Sequence, residues 1–126
     1  MDRVPTLVAV VDDEECVRRA LERLLRSAGL EAETYASGAA MLEDLGRREP
    51  DCVVLDLNMP GMGGLEVQSH LARRTRPIPV VILTGQEGPE WLERATAGGA
   101  SAYLRKPVEG KTLLAAIAEA VANRAA

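Results

Sequence analysis

The chain has 126 residues, 47% of them hydrophobic and 27% charged, a balance typical of a folded globular protein rather than a disordered or fibrous one. This length suits one domain over residues 1–126 and is too short for two. The net charge of −4, with lysine and arginine scattered along the chain, disfavours direct binding of nucleic acid, which requires clustered basic residues.

The sequence predicts neither a membrane span nor a secretion signal. Its apolar stretches fall far short of the roughly 18 residues that cross a bilayer, and no charged segment followed by an apolar one opens it. We therefore expect a cytoplasmic protein without membrane contact. Cys16 and Cys52 lack the spacing of a metal site, and we expect both to be buried as small apolar side chains.

Short apolar runs alternate with longer segments of helical period, and this alternation predicts a parallel sheet with crossover helices. The first strand covers residues 6–11 and is apolar throughout, as expected for a strand covered on both faces. Its helix carries an apolar stripe from Val17 to Ala28 and is expected to end near Gly29.

The second strand, residues 31–35, has a polar alternation that predicts a sheet edge. Ser37 is the expected N-cap of the helix that follows, and Gly46 closes it. The third strand, residues 52–56, is apolar up to its last residue, Asp56. The remaining predicted elements are, in chain order, a helix over 64–73, a strand over 78–83, a helix over 89–97, a strand over 102–104 and a helix over 109–122.

Polar side chains follow the carboxyl ends of four predicted strands, which is the edge where open parallel sheets bind ligands. The first strand is followed by four acids, the third ends in one, and a hydroxyl and an amine follow the fourth and fifth: Asp12, Asp13, Glu14, Glu15, Asp56, Thr84 and Lys106. We therefore expect three carboxylates, a hydroxyl and an amine to converge.

Carboxylates brought this close repel one another unless a cation lies between them. A hard oxygen site of this kind suits Mg²⁺. Asp56 is then placed as a carboxylate nucleophile that forms an acyl phosphate. Lys106 can reach a phosphoryl oxygen as a point charge, and Thr84 can donate a hydrogen bond to another.

Each of these residues also has an ordinary structural interpretation. The acids after the first strand could stabilise a helix N-terminus by about 0.3 to 1 kcal/mol each. Asp56 could cap a loop, Thr84 could begin a turn, and Lys106 could be a surface lysine. Their joint occurrence at four strand ends favours a shared site.

Four segments that contain these residues resemble the receiver domains of bacterial two-component response regulators: VAVVDDEECVRRAL, VVLDLNMPGMGGLEV, VVILTG and AYLRKPV. The resemblance implies a doubly wound α/β fold with five parallel strands in the order 2-1-3-4-5, as in the flavodoxin-like three-layer sandwich. It also implies that Asp56 is the phosphoacceptor, becoming 4-aspartylphosphate, and that Thr84 and Lys106 contact the phosphoryl group.

The resemblance further implies a Mg²⁺ site, with Mn²⁺ as a substitute ion. Asp13 would ligate the metal directly and Asp12 mainly through water, while Asp56 and the backbone carbonyl of Asn58 complete the protein ligands. Phosphorylation would shift Thr84 and the strand aromatic Tyr103, in keeping with the added charge of roughly −1.5 to −2.

The implied donor is a sensor histidine kinase or a histidine phosphotransfer protein. In this interpretation the chain catalyses only its own phosphorylation and slow dephosphorylation. Its output would pass to an unknown effector protein or a fused output domain, or through phosphorylation-dependent dimerisation.

Three alternatives remain open. A flavin- or nucleotide-binding domain would need a phosphate cradle after the first strand, where this chain has acids. An aspartyl-phosphate phosphatase would need a second acid two residues beyond Asp56, where this chain has Asn58. A protein-interaction module that does not accept phosphate would keep the fold without using the polar set.

Overall fold

The computed structural model describes residues 5–57, 63–85 and 89–125. The strands are β1 (Leu7–Val11), β2 (Glu31–Tyr35), β3 (Cys52–Leu55), β4 (Val80–Thr84) and β5 (Ala102–Arg105). The helices are α1 (Glu15–Ser27), α2 (Gly38–Asp44), α3 (Gly64–Ala72), α4 (Pro89–Ala97) and α5 (Gly110–Ala125). Within those ranges, none of the helices has the combination of length and apolar character required of a membrane span.

The strands form one sheet in the order β2-β1-β3-β4-β5, with every neighbouring pair parallel. The predicted order and the predicted edge position of β2 are confirmed. Every residue of β1, β3 and β4 is buried, whereas β2 and β5 are mostly half-buried. The difference follows from position, because an edge strand has a neighbour on one side only.

Two apolar clusters cover the two faces of the sheet and account for the all-apolar central strands. On one face, alternate strand residues pack with α2, α3 and α4: Val11, Val53, Leu55, Ile82, Met41, Leu71 and Ala95. On the other face, the intervening residues pack with α1 and α5: Val8, Val10, Val54, Val81, Leu25, Leu113 and Ile117. The result is a three-layer arrangement in which the loops at the strand ends are left to form a site.

Several element boundaries differ from the predicted ones, and two of them differ for identifiable reasons. β4 begins at Val80 rather than at residue 78, since Pro79 has no N–H to contribute to the ladder; its carbonyl still accepts a hydrogen bond from Val53 at 2.9 Å. α5 continues to Ala125 rather than ending at 122. The guanidinium of Arg124 holds this end by donating to the backbone carbonyls of Pro77 and Pro50.

Ion pairs line the edge strand β2. Arg47 contacts Glu33 at 2.9 Å and Asp44 at 2.8 Å, and Arg48 pairs with Glu31. The hydrogen bond from Arg47 lowers the pKa of Glu33, which outweighs the opposing effect of partial burial. Glu33 therefore remains charged well into the acidic range.

The two cysteines differ in exposure. Cys52 is buried within β3, as predicted, but Cys16 is exposed, so the expectation that both are buried was wrong. Cys16 lies in the first turn of α1, on the side that faces solvent. The helical stripe buries Leu21 and Leu25 instead.

We expect only Cys16 to react with a thiol reagent in the native protein. Burial raises the pKa of the Cys52 thiol to about 12, so that it stays protonated and inaccessible, whereas thiolates are the reactive species. A colorimetric thiol assay at pH 8 should therefore titrate one equivalent rapidly and the second only in denaturant. The variant Cys16→Ser should lose the rapid phase, and two rapid equivalents in the wild type would contradict the burial of Cys52.

Candidate functional site

The strand pairing brings two acids side by side at the carboxyl edge of the sheet. β1 and β3 pair with Val11 opposite Leu55, so Asp12 and Asp56 are the next residues along each strand. The backbone N–H of Asp56 donates to the carbonyl of Val11 at 3.0 Å, which continues the pairing. Asp12 is 2% exposed and Asp56 is 5% exposed, a degree of burial that is unusual for carboxylates without compensating charge.

A third acid completes the cluster. Carboxylate oxygens of Asp12, Asp13 and Asp56 all lie within 4.8 Å of one another. Asp13 is exposed and forms the solvent side of the group. The cluster thus has two buried members and one that faces water.

Asp12 is held in place by its own surroundings. Its Oδ1 accepts a hydrogen bond from the backbone N–H of Glu14 at 2.9 Å, and the guanidinium of Arg18 donates to its backbone carbonyl at 2.7 Å. Asp12 therefore does stabilise the chain just before α1, the structural role that the sequence left open for it. It uses one oxygen of Asp12 and leaves Oδ2 for another partner.

That partner is Lys106. Its Nζ lies 2.8 Å from Oδ2 of Asp12 and 3.5 Å from Oδ2 of Asp56, and Glu14 is 4.0 Å away. The backbone N–H of Lys106 donates to the carbonyl of Thr84 at 2.9 Å, so the end of β4 positions the lysine. The peptide bond between Lys106 and Pro107 is cis.

The cluster holds the lysine in its charged form. Burial lowers the pKa of Lys106, but the hydrogen bond to Asp12 and the charges of Asp12, Asp56 and Glu14 outweigh it, so the net shift is upward. An ammonium group therefore stands beside the acids throughout the neutral pH range. It compensates part of the negative charge gathered at this edge.

Two other predicted site residues, Thr84 and Tyr103, lie at the same edge or in the sheet beneath it. Thr84 is the last residue of β4 and is fully buried. Tyr103, in β5 opposite Ile82, is half-buried and packs on the same apolar cluster as Trp91 of α4. Asn58, predicted to offer a carbonyl ligand, lies outside the described residues.

Sequence reasoning missed a close approach beneath Asp56. A Cβ atom at Gly64 would lie 2.6 Å from the backbone oxygen of Asp56 and 2.6 Å from the Cα of Leu57. Only glycine fits there, since real Cβ atoms do not come so near to backbone. The run GMGG in the sequence was a signal for such a contact, but its position gave no indication of the partner.

Comparison with known proteins gives the same family from sequence and from structure. The family model described as "Response regulator receiver domain" matches residues 8–118. Nodulation protein W of Bradyrhizobium diazoefficiens is 39% identical over 114 residues, which are 90% of this chain and 50% of that protein. Response regulator protein TmoT of Ectopseudomonas mendocina is 35% identical over 121 residues, 96% of this chain and 55% of that protein. The chain thus spans about half the length of these curated relatives.

Among solved structures, the chemotaxis protein CheY4 of Vibrio cholerae matches with a TM-score of 0.86 and 30% identity, covering 93% of this chain and 99% of that one. The three-layer sandwich described above is therefore the CheY-like, flavodoxin-like fold. The family model covers most of the chain, and the curated relatives match it through the same region. The chain belongs to the receiver domain family of two-component response regulators.

Proposed function

We propose that the chain accepts a phosphoryl group on Asp56 from a phosphohistidine of a sensor histidine kinase or phosphotransfer protein, in a Mg²⁺-dependent reaction. One observation carries the proposal. Asp56 is nearly buried at a strand end, with an ammonium 3.5 Å from one carboxylate oxygen and two further carboxylates beside it. This combination gives a nucleophile, a cation for the transferred group and oxygen ligands for a metal.

The donor set fits a small divalent cation. Mg²⁺ binds oxygen ligands at about 2.0 to 2.1 Å, so ligands on opposite sides of one ion are roughly 4.2 Å apart. The oxygens of Asp12, Asp13 and Asp56 already lie within 4.8 Å of one another. We propose that Asp13 and Asp56 hold the ion directly and that Asp12 holds it mainly through water, with the Asn58 carbonyl as the fourth protein group.

The proposed transfer moves one phosphoryl group between two residues. A bond forms between phosphorus and a carboxylate oxygen of Asp56 as the phosphorus–nitrogen bond of the donor breaks, and the imidazole nitrogen keeps the electron pair and takes up a proton. A bound cation would offset the negative charge of the phosphoryl group. Lys106 would donate to a phosphoryl oxygen and Thr84 would donate its hydroxyl to another.

For Lys106 to serve the phosphoryl group, its ammonium must exchange Asp12 for a new partner. Both Mg²⁺ and the lysine compensate the same acids, so they compete. We therefore expect Lys106→Met to bind Mg²⁺ roughly thirtyfold more tightly than the wild type, in line with about 2 kcal/mol for a unit charge and a divalent cation 4 Å apart in water. Calorimetric titration would measure this.

Lys111 offers the matched control, since it lies in the first turn of α5 and is exposed. Lys111→Met should bind Mg²⁺ as the wild type does. Unchanged or weaker binding by Lys106→Met would show that the lysine and the metal do not compete for these acids. The phosphorylation rate of Lys106→Met should nevertheless fall, because the phosphoryl oxygen loses its cation.

We propose that phosphorylation shifts the chain from one conformation to another at the surface near Thr84, Tyr103 and α4, and that this shift is the output. Phosphorylation would bring negative charge to the buried end of β4, and Tyr103 would respond from the neighbouring strand. A cytoplasmic effector, an output domain of the kind that would fill the remaining length of the relatives, or a second copy of the chain would read this change. Catalysis is limited to phosphorylation and slow dephosphorylation of the chain itself.

Labelling with a small phosphodonor tests the proposal. The wild type incubated with acetyl phosphate and Mg²⁺ should gain the mass of one phosphoryl group, and hydroxylamine should release it, since acyl phosphates are labile to that nucleophile. A chelator should prevent labelling. Failure to label with Mg²⁺ present would favour a protein-interaction module that has kept the fold and given up the chemistry.

A further inference from the structure

Helix α4 is attached to the rest of the molecule chiefly near its carboxyl end. Ala95 is its one fully buried residue among those described. Leu92 is 47% exposed, and Trp91 is half-buried with the guanidinium of Arg94 5.9 Å from its ring centroid. By contrast, α1, α3 and α5 each bury at least two large apolar side chains. The amino half of α4 is therefore more lightly packed: it buries no side chain fully and is attached through the half-buried Trp91.

A buried glutamine on α3 contacts α4 at its buried residue, Ala95. Gln68 is 2% exposed, and its Nε2 donates to the backbone carbonyl of Ala95 at 2.8 Å. That carbonyl also accepts the backbone N–H of Ala100 at 3.0 Å. A buried amide is costly unless it is hydrogen-bonded, so this contact accounts for a polar side chain in an otherwise apolar interface between two helices.

The end of α4 is shaped around this glutamine. A Cβ atom at Gly98 would come within 3.0 Å of the Cδ, Nε2 and Oε1 atoms of Gln68, and Gly99 has a φ of +91°. The first glycine leaves room for the amide, and the second allows the left-handed turn that returns the chain toward β5. Neither role is available to a larger residue without moving Gln68 or straining the backbone.

We propose that Gln68 is a positioning residue that anchors the carboxyl end of α4 to α3 and makes Ala95 the pivot about which the amino half of α4 reorients. The anchor involves only α3, α4 and the turn after α4, so it stands or falls independently of chemistry at Asp56. It confines reorientation of the helix to the end that carries Trp91 and Leu92. A partner that reads α4 would therefore sense movement at these two side chains.

Backbone amide NMR on the intact chain tests the pivot. In the wild type, relaxation dispersion on the microsecond to millisecond scale should affect residues 90–93 and spare residues 95–100. In Gln68→Leu, which keeps the volume but cannot donate, the dispersion should extend into residues 95–100. Hydrogen exchange of Gly98 and Ala100 should accelerate about tenfold, while exchange in β1 stays unchanged.

Two further variants keep the test decisive. Gly98→Ala, which presses a methyl group on the amide, should produce the same local pattern if Gln68→Leu folds poorly. Ser69→Ala alters the exposed neighbour of Gln68 and should change nothing. The proposal would be overturned by uniform dispersion along wild-type α4. It would also be overturned if hydrogen exchange were unchanged in both Gln68→Leu and Gly98→Ala, or if exchange in β1 accelerated equally.

Discussion

Asp56→Asn should reduce phosphoryl labelling to background while the protein stays folded. The amide has almost the same shape as the carboxylate, but its nitrogen and oxygen lack the negative charge that attacks phosphorus. It also removes a carboxylate from a cluster whose oxygens lie within 4.8 Å of one another, so Mg²⁺ binding should weaken as well. Intact mass after incubation with acetyl phosphate measures the first effect, and calorimetry measures the second.

Although Asp56→Asn should lower phosphoryl labelling, it should not lower the free energy of unfolding. Asp56 is a buried charge beside two other carboxylates. Relief of that repulsion should outweigh the loss of its 3.5 Å contact with Lys106, which keeps Asp12 as a closer partner. We therefore expect the urea midpoint of Asp56→Asn to equal or exceed that of the wild type in the absence of metal. The exposed Glu66 on α3 provides the control, since Glu66→Gln removes one negative charge outside the cluster and should label normally. Wild-type labelling of Asp56→Asn would place the acceptor on another residue.

Gly64→Ala should cost about 2 to 3 kcal/mol of the free energy of unfolding, the range for overpacking a tightly filled site. The new methyl group would meet the backbone oxygen of Asp56 and the Cα of Leu57, each at 2.6 Å. Backbone atoms cannot rotate away as a side-chain tip can, so the start of α3 and the end of β3 must separate. Urea unfolding measures the loss as a lower midpoint with an unchanged slope.

Gly63 supplies a matched control one residue away. It has a φ of −72°, and a Cβ atom built on it meets nothing within 4 Å. Gly63→Ala should therefore cost about 1 kcal/mol or less, the effect of alanine at the N-cap of α3. Equal losses in the two variants would mean that helix-start propensity, and not the contact with Asp56, sets the cost.

The sheet and its polar edge were predictable because both depend on local pattern. The central strands are apolar on both faces and appear in the sequence as short β-branched runs, and the acids at their ends follow from the direction of parallel strands. Because Val11 pairs with Leu55, the next residue along each strand, Asp12 and Asp56, must lie side by side. The strand order needed the family resemblance in addition.

Long-range contacts were not predictable. Arg124 extends α5 by reaching carbonyls 47 and 74 residues earlier in the chain, and nothing near it in sequence signals those partners. Nothing near Gln68 in sequence distinguishes it from a solvent-facing polar residue of a helix, although it is buried against Ala95. The prediction that Cys16 is buried was wrong because it was based on residue type, which favours burial. Its position on α1 instead places the side chain on the exposed face of the helix.

The ion pairs along β2 also bear on how two copies of the chain can meet. An edge strand offers unpaired N–H and C=O groups that could extend the sheet into another molecule, and charged side chains discourage this. Glu31 and Glu33 place such charges at alternate positions of β2, each with an arginine beside it. Association by strand addition is therefore disfavoured at β2, which leaves the other edge strand, β5, and the helical faces for a dimer. Acid strong enough to protonate Glu33, whose pKa is lowered by its hydrogen bond from Arg47, should weaken this protection and promote aggregation.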